Sequence, residues 1–256
     1  MKFSPILLPV VLLSTALGNA SAQTQADGKW RGLAGASYSA TSGNSSTQNL
    51  LLNLDMARQT EQDKISANAM ANRGSGKVDG VKSTTADKWG LGGQYDYNLS
   101  PQLYVFGKLG LEGDKIIDLS QRRTLGTGLG HKVINEPNTT FDVFAGVANT
   151  RSKYKTTQTI DNTTGTSFTT NSALLGEEST HKLSDTVFFK QRVELYPRIS
   201  GAGGTLAKST ANLGVSLNST LSLNVGLIHN YNSVPTAGLK KNDLSLFTGL
   251  SVKLGG

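Results

Sequence analysis

Long stretches of this chain alternate apolar and polar residues with a period of two. From Trp89 to Leu99 one face reads Trp89, Leu91, Gly93, Tyr95, Tyr97 and Leu99, and the other reads Gly90, Gly92, Gln94, Asp96 and Asn98. Leu103, Val105, Leu109 and Leu111 alternate with Tyr104, Phe106, Lys108, Gly110 and Glu112. Leu221, Leu223, Val225 and Leu227, then Leu244, Leu246, Leu250 and Val252, repeat the pattern near the end. This is the signature of strands with one apolar and one polar face. About twelve such segments are expected, beginning near Trp30, Thr47, Lys64, Thr85, Gln102, Gln121, Thr139, Leu174, Thr186, Thr205, Thr220 and Asp243. The eighth, from Leu174 to Leu183, alternates poorly.

The connections alternate in length. Thr60–Asp63, Leu99–Pro101, Asn135–Asn138, Ser184–Asp185 and Asn218–Ser219 are expected as short turns. Gly74–Ser83, the threonine-rich Tyr154–Ala173, Ser200–Gly204 and Asn232–Asn242 are expected as longer loops, with Tyr154–Ala173 either solvated or folded into the mouth as a lid. Short turns at one end and long loops at the other mark an outer-membrane barrel. In lipid every backbone polar group needs a partner, and a closed sheet supplies one. The expected fold is therefore all-β, a transmembrane antiparallel β-barrel of about twelve strands. Trp30, Tyr38, Trp89, Tyr95, Tyr97, Phe141, Phe189 and Tyr231 would form its interfacial girdles.

The first 22 residues carry Lys2, an apolar run from Ile6 to Leu17, and Ala20-Ser21-Ala22. That is a positive start, an apolar core and a cleavage site, so residues 1–22 read as a signal peptide and 23–256 as one barrel domain. The implied location is the bacterial outer membrane.

Composition narrows the chemistry. The 256 residues contain 29 glycines and no cysteine, so thiolate metal sites, thiol catalysis and disulfides are excluded. The net charge is +7, but the basic residues are scattered along strands, which argues against nucleic acid. No two histidines have metal-ligand spacing, and Gly126–Gly130 is followed by no helix that would make it a phosphate loop. No cofactor is expected. His131, His181 and His229 raise a lipid-modifying barrel enzyme as an alternative, but neither His131 nor His229 has a serine and a carboxylate on an adjoining strand, and the face of His181 in the eighth segment is not legible.

The inward polar face supplies the candidate functional residues: Lys88, Lys108, Glu112, Arg122, Lys190, Arg192, Glu194 and Lys208. A symmetric hairpin at Ser100-Pro101 would pair Gly92 with Lys108 and Lys88 with Glu112, with Arg122 approaching Glu112 from the next strand. With Lys132 and Lys253 against Asp55, Asp96 and Asp142, basic residues lead, which implies a mildly anion-preferring lumen.

The opening Trp30-Arg-Gly-Leu-Ala-Gly-Ala-Ser-Tyr-Ser-Ala-Thr-Ser-Gly-Asn-Ser-Ser-Thr47, with Leu125–Gly130, Lys182–Thr186, Val193–Pro197 and Lys241–Leu250, resembles the YdiY-like family of salt-induced outer-membrane proteins. That family is a domain of unknown function. The resemblance implies an outer-membrane barrel, with a role in salt or acid stress, and brings no catalytic residues. Such barrels usually end on an aromatic residue read by the barrel assembly machinery; here Leu254 stands in its place. The expected function is a small passive pore or envelope component. Its partners would be outer-membrane lipids, the assembly machinery and small solutes or ions; a structural barrel with a blocked lumen is a further alternative.

Overall fold

The structure is a computed structural model that describes residues 26–41, 45–78 and 81–255. The expected signal peptide and residues Ser42-Gly43-Asn44 of the family resemblance lie outside the described residues. Thirteen strands follow one another: β1 (Trp30–Thr41), β2 (Ser45–Gln59), β3 (Asp63–Val78), β4 (Val81–Asn98), β5 (Leu103–Asp114), β6 (Leu119–Glu136), β7 (Thr139–Ile160), β8 (Thr163–Lys182), β9 (Val187–Tyr196), β10 (Arg198–Gly201), β11 (Leu206–Ser216), β12 (Leu221–Asn232) and β13 (Asn242–Leu254). Each pairs antiparallel with the next stave, β8 with β9, β9 with β11, and β13 with β1. The sheet thus closes into a barrel of twelve staves, with the short β10 added to the edge of β8.

Eleven of the twelve expected segments begin within four residues of an observed stave. The eighth does not. β8 starts at Thr163, and the expected Tyr154–Ala173 loop is mostly a two-stranded ribbon turning at Asp161 and Asn162, whose φ angles are 50° and 63°. Two consecutive positive φ values make the tight hairpin turn that matches strand twist, and Asp and Asn tolerate them. Threonine suits a solvated strand as well as a loop, because its branched side chain favours extended backbone. The expected Gly74–Ser83 loop is also largely strand, and Ser200 and Gly201 belong to β10. The five short turns all lie at one end, with Trp30 and Leu254.

The register of the β4–β5 hairpin differs from the symmetric expectation. Gln94 faces Lys108, Gly90 faces Glu112 and Lys88 faces Asp114, because five residues, Leu99 to Leu103, lie between the last paired residues, Asn98 and Tyr104. A shift of two preserves every side chain's face, so the inward set survives while its partners change.

The outward face is apolar: Leu52, Leu91, Leu109, Leu125, Leu129, Val147, Leu246 and Leu250 are all exposed. Trp30, Tyr38, Trp89, Tyr95 and Tyr97 are exposed with them. A folded chain in water seldom leaves so continuous an apolar surface open.

Inside, the inward face is not only polar. Tyr104, Phe106, Phe144, Ala148, Leu174 and Tyr196 form a buried cluster, with Leu206 against it. The Phe106 and Phe144 rings meet edge-on at 5.6 Å, a preferred aromatic geometry. Space for the rings comes from glycine. Tyr104 stands opposite Gly130, Phe144 opposite Gly176, Phe188 opposite Gly214 and Phe247 opposite Gly226. In each pair the ring covers the place where the glycine would carry a Cβ.

Candidate functional site

All eight candidate charges face the lumen, and the structure sorts them into layers. Lys108 on β5 is bonded to Glu194 on β9 and donates to the Tyr196 hydroxyl at 3.1 Å. Tyr196 in turn donates to Glu194 at 2.6 Å. Arg192 reaches Glu194 at 2.7 Å and Glu178 at 2.5 Å, donates to the Gln94 amide oxygen at 2.7 Å, and lies over the Phe144 ring at 5.0 Å. Lys190 and Lys64 flank Glu178 at 3.8 and 3.6 Å. Nearer the loop end, Glu112 holds Arg122 at 2.7 Å and Lys208 at 2.5 Å, while Arg122 also donates to Ser152 at 3.0 Å. Lys88 stands apart from both groups, paired with Asp243 at 2.7 Å.

Most of these contacts cross the lumen rather than run along a wall. Lys64–Glu178 joins β3 to β8, Lys108–Glu194 joins β5 to β9, Lys208–Glu112 joins β11 to β5, and Lys88–Asp243 joins β4 to β13. Three or more staves separate the partners in every case. Buried charges left single are costly, so each such bridge ties opposite walls together.

Sequence reasoning missed Lys64, Glu178, Asp243, Gln94 and the aromatic residues Phe144 and Tyr196. Glu178 was illegible because the face of β8 could not be read. Adding Lys64 to the basic set and Asp114, Glu178 and Asp243 to the acidic set nearly balances the two signs, which removes most of the expected anion preference. The wall from β11 to β13 also carries neutral polar contacts: Asn224 donates to Ser251 at 2.8 Å, and Asn212 to Asn224 at 3.1 Å.

The loop end is covered. β7 and β8 extend past the last β6 partner, Leu119–Tyr154. Between the Lys153–Ser167 and Gln158–Gly165 pairs, four residues of β7 oppose one of β8. Such a bulge bends a strand pair sharply. Beneath the bent ribbon Leu119, Tyr154, Ile160 and Phe168 are buried, packed against Ile117, Ala202 and Val234. Two polar ties hold it. Asp118 accepts hydrogen bonds from the Thr156 hydroxyl and, at 2.8 Å, the Thr156 N–H. Arg198 pairs with Asp161 at the ribbon's tip. The Thr156 bonds hold the Asp118 carboxyl below its ordinary pKa. Under the ribbon remains a cavity of about 20 Å³ bordered by Arg122, Ser152, Ile160 and Val234, room for about one water.

The three histidines are dispersed. His131 is on β6, His181 on β8 stacks on Phe189 at 6.3 Å, and His229 on β12 shares a hydrogen bond with Asn242 at 3.0 Å.

A closed antiparallel sheet with an apolar outside and charged groups inside defines the class of closed β-barrels. The chain belongs to the family described as "Protein of unknown function, DUF481", whose profile matches residues 34–254. No curated protein matches the sequence. Among solved structures it is similar to the NanC porin, with 10% identity over 88% of this chain and 100% of that one, at a TM-score of 0.49. An outer-membrane channel from Pseudomonas putida F1 shares 9% identity over 95% of this chain and 100% of its own, at 0.47. The KdgM porin, solved in complex with disordered oligogalacturonate, shares 9% over 89% of this chain and 96% of its own, at 0.39.

Proposed function

We propose that this chain is an outer-membrane barrel providing a narrow, gated path for ions and small polar solutes, closed in the conformation described. The observation that carries the reading is the succession of inward charges from Lys64 near the short turns to Lys88 and Asp243 near the loops. A barrel that served only as a packed scaffold would be more stable with apolar residues there. The exposed leucines and flanking aromatics support the membrane setting. No cofactor and no catalytic role enter this proposal. The role in salt or acid stress implied by the sequence resemblance is part of it, and a deletion strain should then grow poorly in high salt or acid.

A second reading is a structural barrel, favoured by the fully buried Leu174 and the aromatic cluster around it. Planar-bilayer recording of the refolded chain separates the two. A gated path should give rare, small openings that become frequent when Asp118→Ala and Arg198→Ala are combined. Silence in both forms would favour the structural barrel.

A further inference from the structure

The outer wall carries two adjoining features that the lumen does not explain. The first is a pair of like charges. Arg123 on β6 and Arg151 on β7 are directly opposite in the ladder, both outward and exposed. Lys153, two residues beyond Arg151, faces Gln121 on the same side and is exposed too. Arg122 and Ser152 between them point inward, which fixes the outward face of their neighbours. Like charges directly opposite across a ladder destabilise it. Among the described residues, the outward rows from Gln121 to Leu125, Asn149 to Lys153 and Ser167 to Asn171 hold no carboxylate, and the polar contact to this basic group is Arg151 to the Ser167 hydroxyl at 3.3 Å.

The second feature lies just toward the short-turn end. An elongated apolar concavity of about 900 Å³ crosses the outside of β3 to β8, bordered by Ile65, Ala67, Tyr95, Leu109, Leu125 and Val147. Six strands at ~4.8 Å spacing make it roughly 24 Å long, measured across the strands. Gly93 and Gly107 lie in its floor, and a Cβ on Gly107 would meet nothing within 4 Å. No packing within the barrel requires a glycine there. Leu125 links the two features, since it borders the concavity and stands two residues from Arg123 on the same face.

We infer that this wall binds a phosphate-bearing membrane lipid, its phosphate between Arg123, Arg151 and Lys153 and an acyl chain in the trench below. Guanidinium groups form paired, charge-assisted hydrogen bonds with phosphate, and a bridging dianion turns the Arg123–Arg151 repulsion into attraction. The basic group sits at the loop end of the apolar band, where a headgroup would lie, and the trench enters that band. The inference rests on the membrane reading but not on whether the lumen conducts.

The test uses the full mature chain refolded in neutral detergent, its folding verified by heat-modifiable gel mobility. Binding is read by native mass spectrometry with diphosphorylated lipid A, dephosphorylated lipid A and phosphatidylcholine, with inorganic phosphate as competitor. Saturable binding of the phosphorylated form is expected. Arg123→Ser with Arg151→Ser should weaken it about tenfold or more, as should Gly107→Phe, which fills the trench. The arginine variant relieves repulsion, so it should fold at least as well as the parent. Equal binding of the dephosphorylated lipid, unchanged binding by both variants, or full displacement by millimolar phosphate would each overturn the inference. A chain that stays a compact monomer without detergent would instead overturn the membrane reading.

Discussion

The Tyr104 ring occupies the place of the side chain that Gly130, its ladder partner, lacks. The relationship recurs at Phe144–Gly176, Phe188–Gly214 and Phe247–Gly226. Each ring lies along the wall instead of projecting across the lumen, and each glycine is fixed by its neighbour rather than by its own backbone.

Gly130→Val should therefore destabilise the barrel by about 1–3 kcal/mol, the usual cost of overpacking. Tyr104→Ala added to it should recover part of that loss. Urea titration of the refolded barrel, followed by tyrosine fluorescence and gel mobility, measures both. Additive losses in the double variant would contradict the paired arrangement.

Glu194 is the shared partner of Lys108, Arg192 and Tyr196. Glu194→Gln leaves two buried cations short of charge and should cost about 3 kcal/mol. Lys108→Met introduced with it should restore stability, because one of the stranded charges is removed. The urea midpoint again gives the answer.

For the proposed path, the near balance of lumen charge predicts weak selectivity. Reversal potentials in a salt gradient should show little preference in the parent chain. Lys190→Gln with Arg192→Gln should tip the path toward cations, since rings of a single sign select the opposite ion. The difference should fade at 1 M salt, where the screening length falls to ~3 Å. Marked anion selectivity in the parent would mean that the acidic side chains are not exposed to the permeating ion.

The ribbon over the mouth gives a prediction with a definite sign in pH. Asp118 is held below its ordinary pKa by the Thr156 hydroxyl and N–H. A lowered folded-state value means that its tie is fully present above the ordinary aspartate range near ~3.9 and is lost only as pH falls through the lowered value. The open probability of Asp118→Asn should therefore exceed that of the parent by a constant factor from pH 8 to pH 5. A gap that closes over this interval would show that Asp118 is protonated well before the bonds to Thr156 allow.

Much of the barrel was legible from the period-two pattern, because a one-residue slip would carry every leucine to the wrong face. The turns at Thr60, Ser100 and Ser184 were legible as clusters of polar and turn-forming residues between apolar runs. What escaped detection depended on neighbours distant in sequence. The register at Ser100 could not be fixed without the turn's true length. The ribbon from Tyr154 to Ala173 carries threonines whose extended preference is independent of whether a partner strand exists. Of the lumen residues, Lys108, Arg192 and Glu194 were identified as inward by parity, but their meeting across the barrel follows from closure, which no local pattern encodes. The aromatic–glycine pairs were hidden for the same reason.

The ladder closing the ring is short. β1 pairs with β13 only from Gly32–Leu254 to Ala36–Leu250, whereas β1 and β2 run together from Trp30–Arg58 to Thr41–Thr47. A hoop under thermal or mechanical load parts at its weakest joint, and here that is the β1–β13 seam. The two edges are not equivalent once it parts. β13 stays tethered through Asp243 to Lys88 and through Lys253 to Ser216 at 3.0 Å, while β1 is held mainly by its ladder to β2. Rupture should thus begin as an N-terminal flap hinged on β2, swinging away from a remainder that keeps its curvature and can receive it again.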